Sequence, residues 1–493
     1  MDYSHLQNGS DIRGVALAGV ENEPVTLSDD AVSSIAGGFF AWLQKKRPDV
    51  SRLRIAIGRD SRLSGEHLLQ IFATALSALG CDVTDFGLCT TPAMFMTTVT
   101  PGYEFDASVM VTASHLPWNR NGLKFFTANG GLEKADIAEI LSFSAQVSPV
   151  PQAQGTIIKD NFLPTYAAQL RNLVISASGR EQPLKGYRIV VDAGNGAGGF
   201  YATQVLQALG ADISGSVLLD PDGHFPCHVP NPELPAAMDY IRDAVMRSHA
   251  DLGIIFDTDV DRAGAVLTDG TELNRNRLIA AISAILLREH PGTTIVTDSI
   301  TSDGLAHFIE ARGGVHRRFK RGYRNVINES LRLNAAGQDS QLAIETSGHA
   351  ALKENYFLDD GAYLVTKLLL ELAGGRSLAS LISDLSEPTE GRECRLPLEK
   401  NNFRTIGEQI LSNLEQYAAT REGWNNVPDN CEGVRINLDK KHGNGWFLLR
   451  LSLHDPILPL NIESEDKGGV EVILSELRPF FAEQTGVDCT PLN

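Results

Sequence analysis

The chain has 493 residues and a formal net charge of −18, which argues against nucleic acid as a partner. No apolar run is long enough to span a bilayer, so no membrane partner is expected. The six cysteines show no Cys-x-x-Cys pair and no zinc spacing, and the N-terminus carries no apolar leader. We therefore expect a cytoplasmic protein with free thiols. The alternative is an organellar protein whose targeting peptide has been removed.

A pattern of strand, loop, helix, glycine and strand occurs three times along the chain, beginning near residues 53, 187 and 293. Crossovers of this kind build sheets with parallel strands. The alternative is one large doubly wound sheet. Three related α/β domains in tandem are favoured, because the copies lie more than a hundred residues apart.

Composition predicts four domains with boundaries in polar, proline-rich or glycine-rich stretches. These stretches are 148–155, a turn near 269–270 and the segment around 386–395. The predicted domains are 1–155, 156–270, 271–388 and 389–493. In the last of them we expect a helix over about 404–418, strands over 433–438, 445–451 and 458–462, and a closing helix over about 469–484. This pattern is typical of a smaller α+β domain.

A serine and a histidine, Ser114 and His115, follow the predicted buried strand 107–111. The loop is expected to run through Asn121 and Gly122, and a second strand, led by Lys124, is predicted to begin at residue 123. A hydroxyl on a loop at a strand end, with a cation ten residues on, is typical of a nucleophile or phosphate carrier. The alternative is a polar turn between two strands.

Three carboxylates, Asp257, Asp259 and Asp261, follow the apolar residues 254–256. Carboxylates at this spacing repel one another unless a cation lies among them, and hard oxygen ligands suit Mg²⁺. An EF-hand calcium loop needs Gly at position six and Glu at position twelve, where this chain has Arg262 and Thr268. The remaining alternative is a solvated charged turn.

With these features together, the chain resembles the α-D-phosphohexomutase superfamily, which contains phosphoglucomutases, phosphomannomutases and phosphoglucosamine mutases. The resemblance runs nearly end to end. It implies three tandem related α/β domains with mixed sheets plus a smaller C-terminal α+β domain, arranged around a central cleft. It also implies a Mg²⁺-dependent isomerase that moves a phosphoryl group between the 1- and 6-positions of a hexose phosphate, glucose or mannose. A phosphoserine and a hexose bisphosphate, which also acts as activator, would carry the group. We expect a monomer or dimer.

The resemblance assigns roles residue by residue. The segment Thr-x-Ser-His-x-Pro makes Ser114 the carrier of the phosphoryl group, and Glu-x-Ser-Gly-His over 345–349 is the sugar-binding segment. The metal ligands implied are Ser114, Asp257, Asp259 and Asp261. The residues implied in catalysis are Ser114, His115, Lys124, Arg13 and His349. Those implied in substrate binding are Arg262, Glu345, Ser347, Gly322, Tyr323, Arg324, Arg450, Ser452 and His454.

The C-terminal phosphate-binding loop departs from the family's Arg-x-Ser-x-Thr-Glu-Pro. Here His454 replaces the threonine, Asp455 the glutamate, and Pro459 a later arginine. Loss of a guanidinium–phosphate hydrogen bond costs on the order of 1.5–3 kcal/mol, so the substrate is left open. A phosphoglucosamine mutase or a sugar-bisphosphate synthase of the same family is the first alternative.

Two alternatives lie outside the mutases. The altered loop is compatible with a non-catalytic regulator that binds a sugar phosphate. A phosphatase of the haloacid-dehalogenase type would use Asp257 as its nucleophile, but it leaves Ser114 unexplained. Five cations crowd the segment 317–324, either as a solvated basic strand or as part of a site for an anion.

Overall fold

The computed structural model describes residues 2–145, 154–452 and 455–493. His454 and most of the predicted linker 148–155 lie outside these ranges. The chain forms two compact units, Met1–Ile285 with Ser347–Leu381, and Leu286–Thr346 with Ile382–Asn493. The four predicted domain boundaries stay a prediction. Among the described residues, no helix combines the length and the apolar character that crossing a membrane requires.

The first sheet of unit one is mixed, as expected. Its strands are β1 (Gln7–Asn8), β2 (Asp11–Val15), β3 (Arg54–Arg59), β4 (Asp82–Leu88), β5 (Ala107–Val111), β6 (Arg120–Thr127), β7 (Gly130–Gly131) and β8 (Ile157–Lys159). The strand order is β1-β2-β6-β5-β3-β4-β8, with β7 on β6. Strands β3, β4, β5 and β8 run parallel, whereas β6 runs antiparallel to both β5 and β2.

Helices cover this sheet, and its central strand β5 is buried along its whole length, as parallel strands usually are. The helices are α1 (Asp29–Lys46), α2 (Gly65–Ala78), α3 (Thr91–Met96) and α4 (Lys134–Ser144), and α5 (Leu163–Ser178) follows β8 in the chain. The Ser28 hydroxyl caps α1 by accepting from the Ala31 amide at 3.3 Å. Phe39, Phe72 and Phe125 meet in the core between helix and sheet. This packing fixes the carboxyl end of β5, from which the serine loop leaves.

The second sheet of unit one has the order β12-β11-β10-β9. Its elements are β9 (Ile189–Asp192), α6 (Pro235–Ser248), β10 (Leu252–Phe256), β11 (Ala263–Leu267) and β12 (Glu272–Leu273). Strands β9 and β10 are parallel, and β10 and β11 form a hairpin whose loop carries the three aspartates. The helix of the predicted pattern that begins near residue 187 is a π-helical segment over Tyr201–Leu206.

The next part of the chain contributes to both units. Its elements are α7 (Arg275–Glu289), β13 (Thr294–Asp298), α8 (Asp303–Ala311), β14 (Val315–Phe319), α9 (Tyr323–Ala335), β15 (Ser340–Ile344), β16 (Ala350–Leu352), β17 (Leu358–Asp359), α10 (Gly361–Ala373) and α11 (Leu378–Leu381). In unit two, β13 lies between β14 and β15, and all three strands are parallel. In unit one, β16 and β17 form an antiparallel hairpin.

The C-terminal part of unit two is the expected α+β arrangement. Its elements are β18 (Glu390–Pro397), α12 (Phe403–Ala419), β19 (Trp424–Asn426), β20 (Val434–Leu438), β21 (Gly445–Leu449), β22 (Ile457–Ser464) and α13 (Gly469–Ala482). The strands run antiparallel in the order β18-β22-β21-β20-β19.

Two of these strands, β18 and β19, were not predicted, and β18 occupies part of the segment taken as a break. Both lie at the edges of the sheet. In β18 only Cys394 and Leu396 are buried, so the strand carries little apolar signal in the sequence.

Candidate active site

Ser114 lies on the loop that leaves β5, and its side chain is buried. Its φ of 51° is in the left-handed region, which is uncommon for a residue other than glycine. The Ser114 amide donates to Thr112 Oγ1 at 2.9 Å. A left-handed residue held in this way is typical of a functional loop whose geometry the surrounding structure imposes.

The loop is shorter than predicted, because β6 begins at Arg120 and includes Asn121 and Gly122. The predicted start at residue 123 was therefore wrong. A Cβ on Gly122 would lie 2.2 Å from the Ile12 carbonyl oxygen. Glycine here permits β2 to pair closely with β6, and this pairing brings Arg13 opposite Gly122.

Arg62 anchors the serine loop and was missed in the sequence. Its guanidinium is buried and donates to the carbonyl oxygens of Ser114, Leu116 (2.5 Å), Pro117 (2.8 Å) and Arg120 (3.0 Å). Five N–H donors on one rigid group suit this task, which a lysine could not perform. Arg62 is therefore a positioning residue for the serine.

Asp60 completes this anchor. Its carboxylate accepts from Thr112 Oγ1 at 2.6 Å and from the Arg62 amide at 2.9 Å. Burial raises the pKa of Asp60 to about 6, although the charge of Arg62 acts in the opposite direction. The sequence carried one signal for Asp60 and Arg62. They belong to the polar run Arg59–Arg62 at the end of β3, and the other site loops also follow buried strands.

The three aspartates lie on the β10–β11 loop, and all three are buried. Val260, between the second and third, has a φ of 68°, a strained conformation for a β-branched residue. One oxygen from each carboxylate lies within 4.8 Å of the others. Ser114 Oγ donates to Asp257 Oδ2 at 2.9 Å, so the serine joins this cluster.

Lys124, on β6, lies among these carboxylates. Its Nζ is 2.9 Å from Asp259 Oδ2 and also donates to Asp261 Oδ2. Burial alone would lower the pKa of Lys124, but the two aspartates raise it well above its usual range. Burial and the other two carboxylates raise the pKa of Asp257, whereas Lys124 lowers that of Asp261 against the effect of burial.

The carboxylates fit a divalent cation. Oδ1 of Asp259 and Oδ1 of Asp261 are buried and accept no hydrogen bond from the described residues. Buried carboxylate oxygens without a donor are costly unless a cation faces them. The three side chains therefore form an acidic metal-binding site.

Arg262 links the aspartate loop to two histidines. Its amide donates to Asp257 Oδ1 at 3.3 Å, and its side chain donates to His349 Nε2 at 3.2 Å, Glu233 Oε2 at 3.3 Å and His115 Nδ1 at 2.7 Å. Since the guanidinium can only donate, His115 Nδ1 accepts. Arg262, together with burial, moves the pKa of His115 far below its usual range, so this histidine is neutral.

His349 belongs to unit one together with Ser347. Its Nδ1 lies 3.0 Å from Ser347 Oγ, and its Nε2 lies 3.6 Å from Asp261 and 3.5 Å from Asp359. Gly348 has a φ of 92°, and a Cβ there would lie 2.7 Å from a backbone oxygen of β11. Glycine thus allows the segment to approach the aspartate loop.

Arg13 lies on β2 beside the strand that carries Lys124. Its Nη2 is 2.7 Å from Asp11 Oδ2, and both side chains are mostly buried. The charge of Arg13 lowers the pKa of His115, as does that of Arg262. Unit one therefore brings together Ser114, His115, Lys124, Arg13, Arg262, Ser347, His349 and the three aspartates.

The remaining predicted residues belong to unit two. The Gly322 amide donates to Glu345 Oε1 at 2.6 Å, and Gly322 has a φ of 119°. Tyr323 and Arg324 are the first two residues of α9. The helix N-terminus thus lies against the carboxylate of the predicted sugar-binding segment.

Arg450 follows β21 and is buried. Its amide donates to the Pro459 carbonyl at 3.1 Å, so the proline keeps this backbone contact between β21 and β22. Among the described residues, Arg450 Nε has no hydrogen-bond partner. Ser452 Oγ accepts from the Asp455 amide at 3.2 Å.

The basic segment 317–324 is largely neutralised within unit two. Arg317 Nε lies 3.1 Å from Glu329, and Arg318 Nη2 lies 2.7 Å from Asp303. These two cations therefore stabilise the fold around β14 rather than forming an open basic surface.

Comparison with known proteins agrees with this geometry. Three family models match: phosphoglucomutase/phosphomannomutase alpha/beta/alpha domain I at residues 5–148, domain II at 164–270 and domain III at 274–388. A phosphomannomutase/phosphoglucomutase of Pseudomonas syringae pv. tomato is 31% identical over 94% of this chain and 92% of that protein. A phosphoglucomutase of Neisseria gonorrhoeae is 28% identical over 95% of each chain.

A solved structure is similar over nearly the whole length. The phosphoglucomutase/phosphomannomutase family protein of Burkholderia thailandensis has a TM-score of 0.80 and 25% identity, covering 98% of each chain. The chain therefore belongs to the phosphoglucomutase/phosphomannomutase family of the α-D-phosphohexomutase superfamily, and it is a hexose phosphate mutase, an isomerase that acts as an intramolecular phosphotransferase.

Proposed function

We propose that the chain interconverts the 1- and 6-phosphates of glucose or mannose through a phosphoserine at Ser114. The observation that carries this proposal is the hydrogen bond from Ser114 Oγ to Asp257 Oδ2, 2.9 Å long, inside the acidic cluster. A hydroxyl held on metal-binding carboxylates is well placed to bear a phosphoryl group whose charge a cation neutralises.

The proposed reaction consists of two phosphoryl transfers. The bond from phosphorus to Ser114 Oγ breaks as a bond forms to a free hydroxyl oxygen of the hexose phosphate, whose proton passes to a base. Ser114 Oγ takes up a proton in exchange. In the second transfer, the bond from the other phosphorus of the bisphosphate to its sugar oxygen breaks as a bond forms to Ser114 Oγ, the serine proton passes to the sugar oxygen, and the phosphoserine is restored. Such transfers depend mainly on positioning and on neutralisation of charge.

Mg²⁺ is the proposed ion, held by Asp257, Asp259, Asp261 and an oxygen on Ser114. All of these ligands are hard oxygens, and Mg²⁺ commonly binds a few carboxylates together with a phosphoryl oxygen. Bound there, the ion would supply Lewis-acid stabilisation of the phosphoryl oxygens.

The cations around Ser114 are proposed to stabilise the charge of the transferring group. Lys124 is the first of them, because its raised pKa keeps it protonated and so suits it to charge stabilisation rather than to the role of base. Arg262 and Arg13 add further positive charge beside His115. His349 is the proposed participant in proton transfer, since imidazole can accept and donate near neutral pH.

Substrate binding is proposed residue by residue. Glu345 and Ser347 would hydrogen-bond sugar hydroxyls, and Gly322, Tyr323 and Arg324 would contact the sugar. For the phosphate that is not transferred, we propose Arg450, Ser452 and His454. Support comes from Arg450, whose buried Nε has no partner among the described residues. A buried guanidinium is planar and can donate two parallel hydrogen bonds to an anionic ligand such as phosphate.

The phosphatase alternative receives no support from the geometry. A nucleophilic Asp257 needs a free oxygen, but its two oxygens accept from Ser114 Oγ and from the Arg262 amide. In a mutase these contacts instead orient the serine and the loop that carries the metal ligands.

An activity panel tests the proposed reaction. The full chain with Mg²⁺ and a catalytic amount of hexose bisphosphate is assayed on glucose 1-phosphate, mannose 1-phosphate and glucosamine 1-phosphate. We expect turnover of the glucose and mannose substrates and little of the glucosamine substrate. A strong preference for glucosamine phosphate, or bisphosphate accumulation as the end product, would instead establish one of the family alternatives.

A further inference from the structure

The N-terminus of α9 in unit two is an anion-binding element that the chain's own carboxylates occupy. The Arg321 amide donates to Glu432 Oε2 at 3.2 Å, and the Gly322 amide donates to Glu345 Oε1 at 2.6 Å. Free amides and the helix dipole at such an end favour negative charge. Two carboxylates from distant parts of the sequence therefore converge on one helix end.

Glu432 makes a second contact with a donor of the same region. Its Oε2 also accepts from the Ser299 hydroxyl, directly after β13. Glu432 is also the strongest charge partner of Arg450, for which we propose phosphate binding. Only 8% of the Arg450 surface is exposed, and its Nε has no hydrogen-bond partner among the described residues.

These donors form a set that suits a phosphate better than a carboxylate. A hydroxyl, a backbone amide at a helix N-terminus and a buried guanidinium offer several hydrogen bonds to an ion with three or four oxygens. Glu432 supplies one carboxylate oxygen to two of these donors, whereas Arg450 Nε has no acceptor within the part of the chain that the structure describes.

We propose that Glu432 is an internal competitor for the phosphate subsite, and that a sugar phosphate binds there by displacing the Glu432 side chain from the Ser299 hydroxyl and the Arg321 amide. This inference rests on the proposed function, because it takes Arg450 to bind the phosphate that is not transferred. In this role Glu432 sets the affinity of the subsite for the sugar phosphate. It also favours a phosphate dianion over anions that bind more weakly and so displace Glu432 less readily.

Displacement needs only a side-chain rotation. The backbone around Glu432 is fixed, since Asn430 Nδ2 donates to the carbonyl oxygens of Glu432 and Gly433 at 3.0 and 2.9 Å. Glu432 itself is only partly buried, so its carboxylate can move into water when a stronger anion arrives.

The charge balance explains why the competitor matters. Arg321 lies 4.0 Å from the buried Asp298, and Glu345 lies on the neighbouring amide of the same helix end. Glu432 adds a third carboxyl group to this set, and its charge offsets part of the positive charge that Arg321 and Arg450 present to a phosphate dianion. Displacement of Glu432 removes one negative charge from this set.

The test is calorimetric binding of glucose 1-phosphate and of inorganic phosphate to the full chain and to Glu432→Gln. Glutamine keeps the size of the side chain and can still accept from Ser299 and Arg321, but it holds them without charge. We expect about a tenfold lower Kd for both ligands, equivalent to about 1.4 kcal/mol. An unchanged or higher Kd would overturn the proposal. Glu422→Gln, an exposed position of the same unit, is the matched control.

A second variant separates this inference from the proposed function. In Arg450→Met, glucose 1-phosphate should bind more weakly, and adding Glu432→Gln should no longer strengthen binding. If Arg450→Met weakens binding but Glu432→Gln alone does not strengthen it, the competitor role is wrong while the phosphate subsite stands. Phosphorylation of Ser114 by a hexose bisphosphate, read by intact mass, reports on the proposed reaction independently of both outcomes.

Discussion

Lys124 Nζ lies 2.9 Å from Asp259 Oδ2 and also donates to Asp261, so one buried ammonium contacts two of the three carboxylates of the acidic cluster. The same two aspartates each keep one buried oxygen that accepts no hydrogen bond from the described residues. Lys124 and the proposed metal ion therefore bind the same two carboxylates, and each cation weakens the binding of the other to them.

Replacing this lysine should affect metal binding and catalysis in opposite directions. In Lys124→Met, the carboxylates lose a neighbouring positive charge, so we expect Mg²⁺ to bind about tenfold more tightly. Activity should fall about 10²–10³-fold, because a preorganised positive charge beside the phosphoryl group is lost. Calorimetric titration with Mg²⁺ and steady-state kinetics measure the two effects. Weaker metal binding in Lys124→Met would contradict this account. Lys45→Met, at an exposed surface position, is the control.

Arg62 should control the placement of Ser114. Lysine cannot donate to four carbonyl oxygens at once, so Arg62→Lys should let the serine loop shift. A shift of about 1 Å costs on the order of 100-fold in kcat. KM should change little, since the Arg62 guanidinium contacts backbone oxygens and the Asp60 carboxylate and is not among the residues proposed to bind substrate. Arg59→Lys, at a partly exposed neighbouring position, should retain activity. Full kcat in Arg62→Lys would show that the loop holds its geometry without this anchor.

Gly122 should be intolerant of a side chain. A Cβ there would lie 2.2 Å from the Ile12 carbonyl oxygen, so Gly122→Ala must force β2 away from β6. Overpacking of this kind typically costs about 1–3 kcal/mol. We expect a lower denaturation midpoint and reduced activity, because Arg13 and Lys124 lie on these two strands. Gly391→Ala, where the new Cβ meets atoms only at 3.7 Å, should leave the midpoint nearly unchanged. Equal effects of the two substitutions would refute the steric argument.

Asp360 should make stability depend on pH. Burial raises the pKa of Asp360 to about 6, although hydrogen bonds from Tyr166 Oη (2.6 Å) and the Tyr363 amide (2.8 Å) act in the opposite direction. Since the folded pKa lies above the unfolded value of about 4, the favourable contribution is complete below pH 4. It is lost as the pH rises through 6.

The Asp360→Asn variant stays neutral throughout this range. The free energy of unfolding of the wild type relative to the variant should therefore fall by about 3 kcal/mol between pH 4 and pH 7. Denaturant titrations at several pH values measure this difference, with the exposed Asp49→Asn as control. A difference that is constant, or that rises with pH, would contradict the proposed protonation of Asp360.

The sequence predicted the parts of this molecule that local patterns encode. Strand β5 was predicted with its bounds, because five consecutive buried residues carry a clear signal. Ser114 and the three aspartates were singled out because polar residues directly after a buried strand are unusual. The edge strands β18 and β19 were missed because their exposed residues resemble a loop.

Contacts between distant segments were beyond local patterns. Arg62 and Glu432 lie 52 and 133 residues from the Ser114 carbonyl and the Ser299 hydroxyl that they bind. Only the pairing of strands and the placement of helix ends bring such residues together. The salt bridges of Lys124 also depend on register, since a one-residue shift of β6 would turn its side chain to the other face of the sheet.

The central claim is that Ser114 carries the phosphoryl group, and intact mass spectrometry tests it most directly. Incubation of the full chain with Mg²⁺ and glucose 1,6-bisphosphate should add the mass of one phosphoryl group, about 80 Da by the formula of that group. Ser114→Ala should gain no such mass and should lose mutase activity, whereas the exposed Ser51→Ala should behave as the wild type. Phosphorylation or unchanged activity of Ser114→Ala would contradict the account.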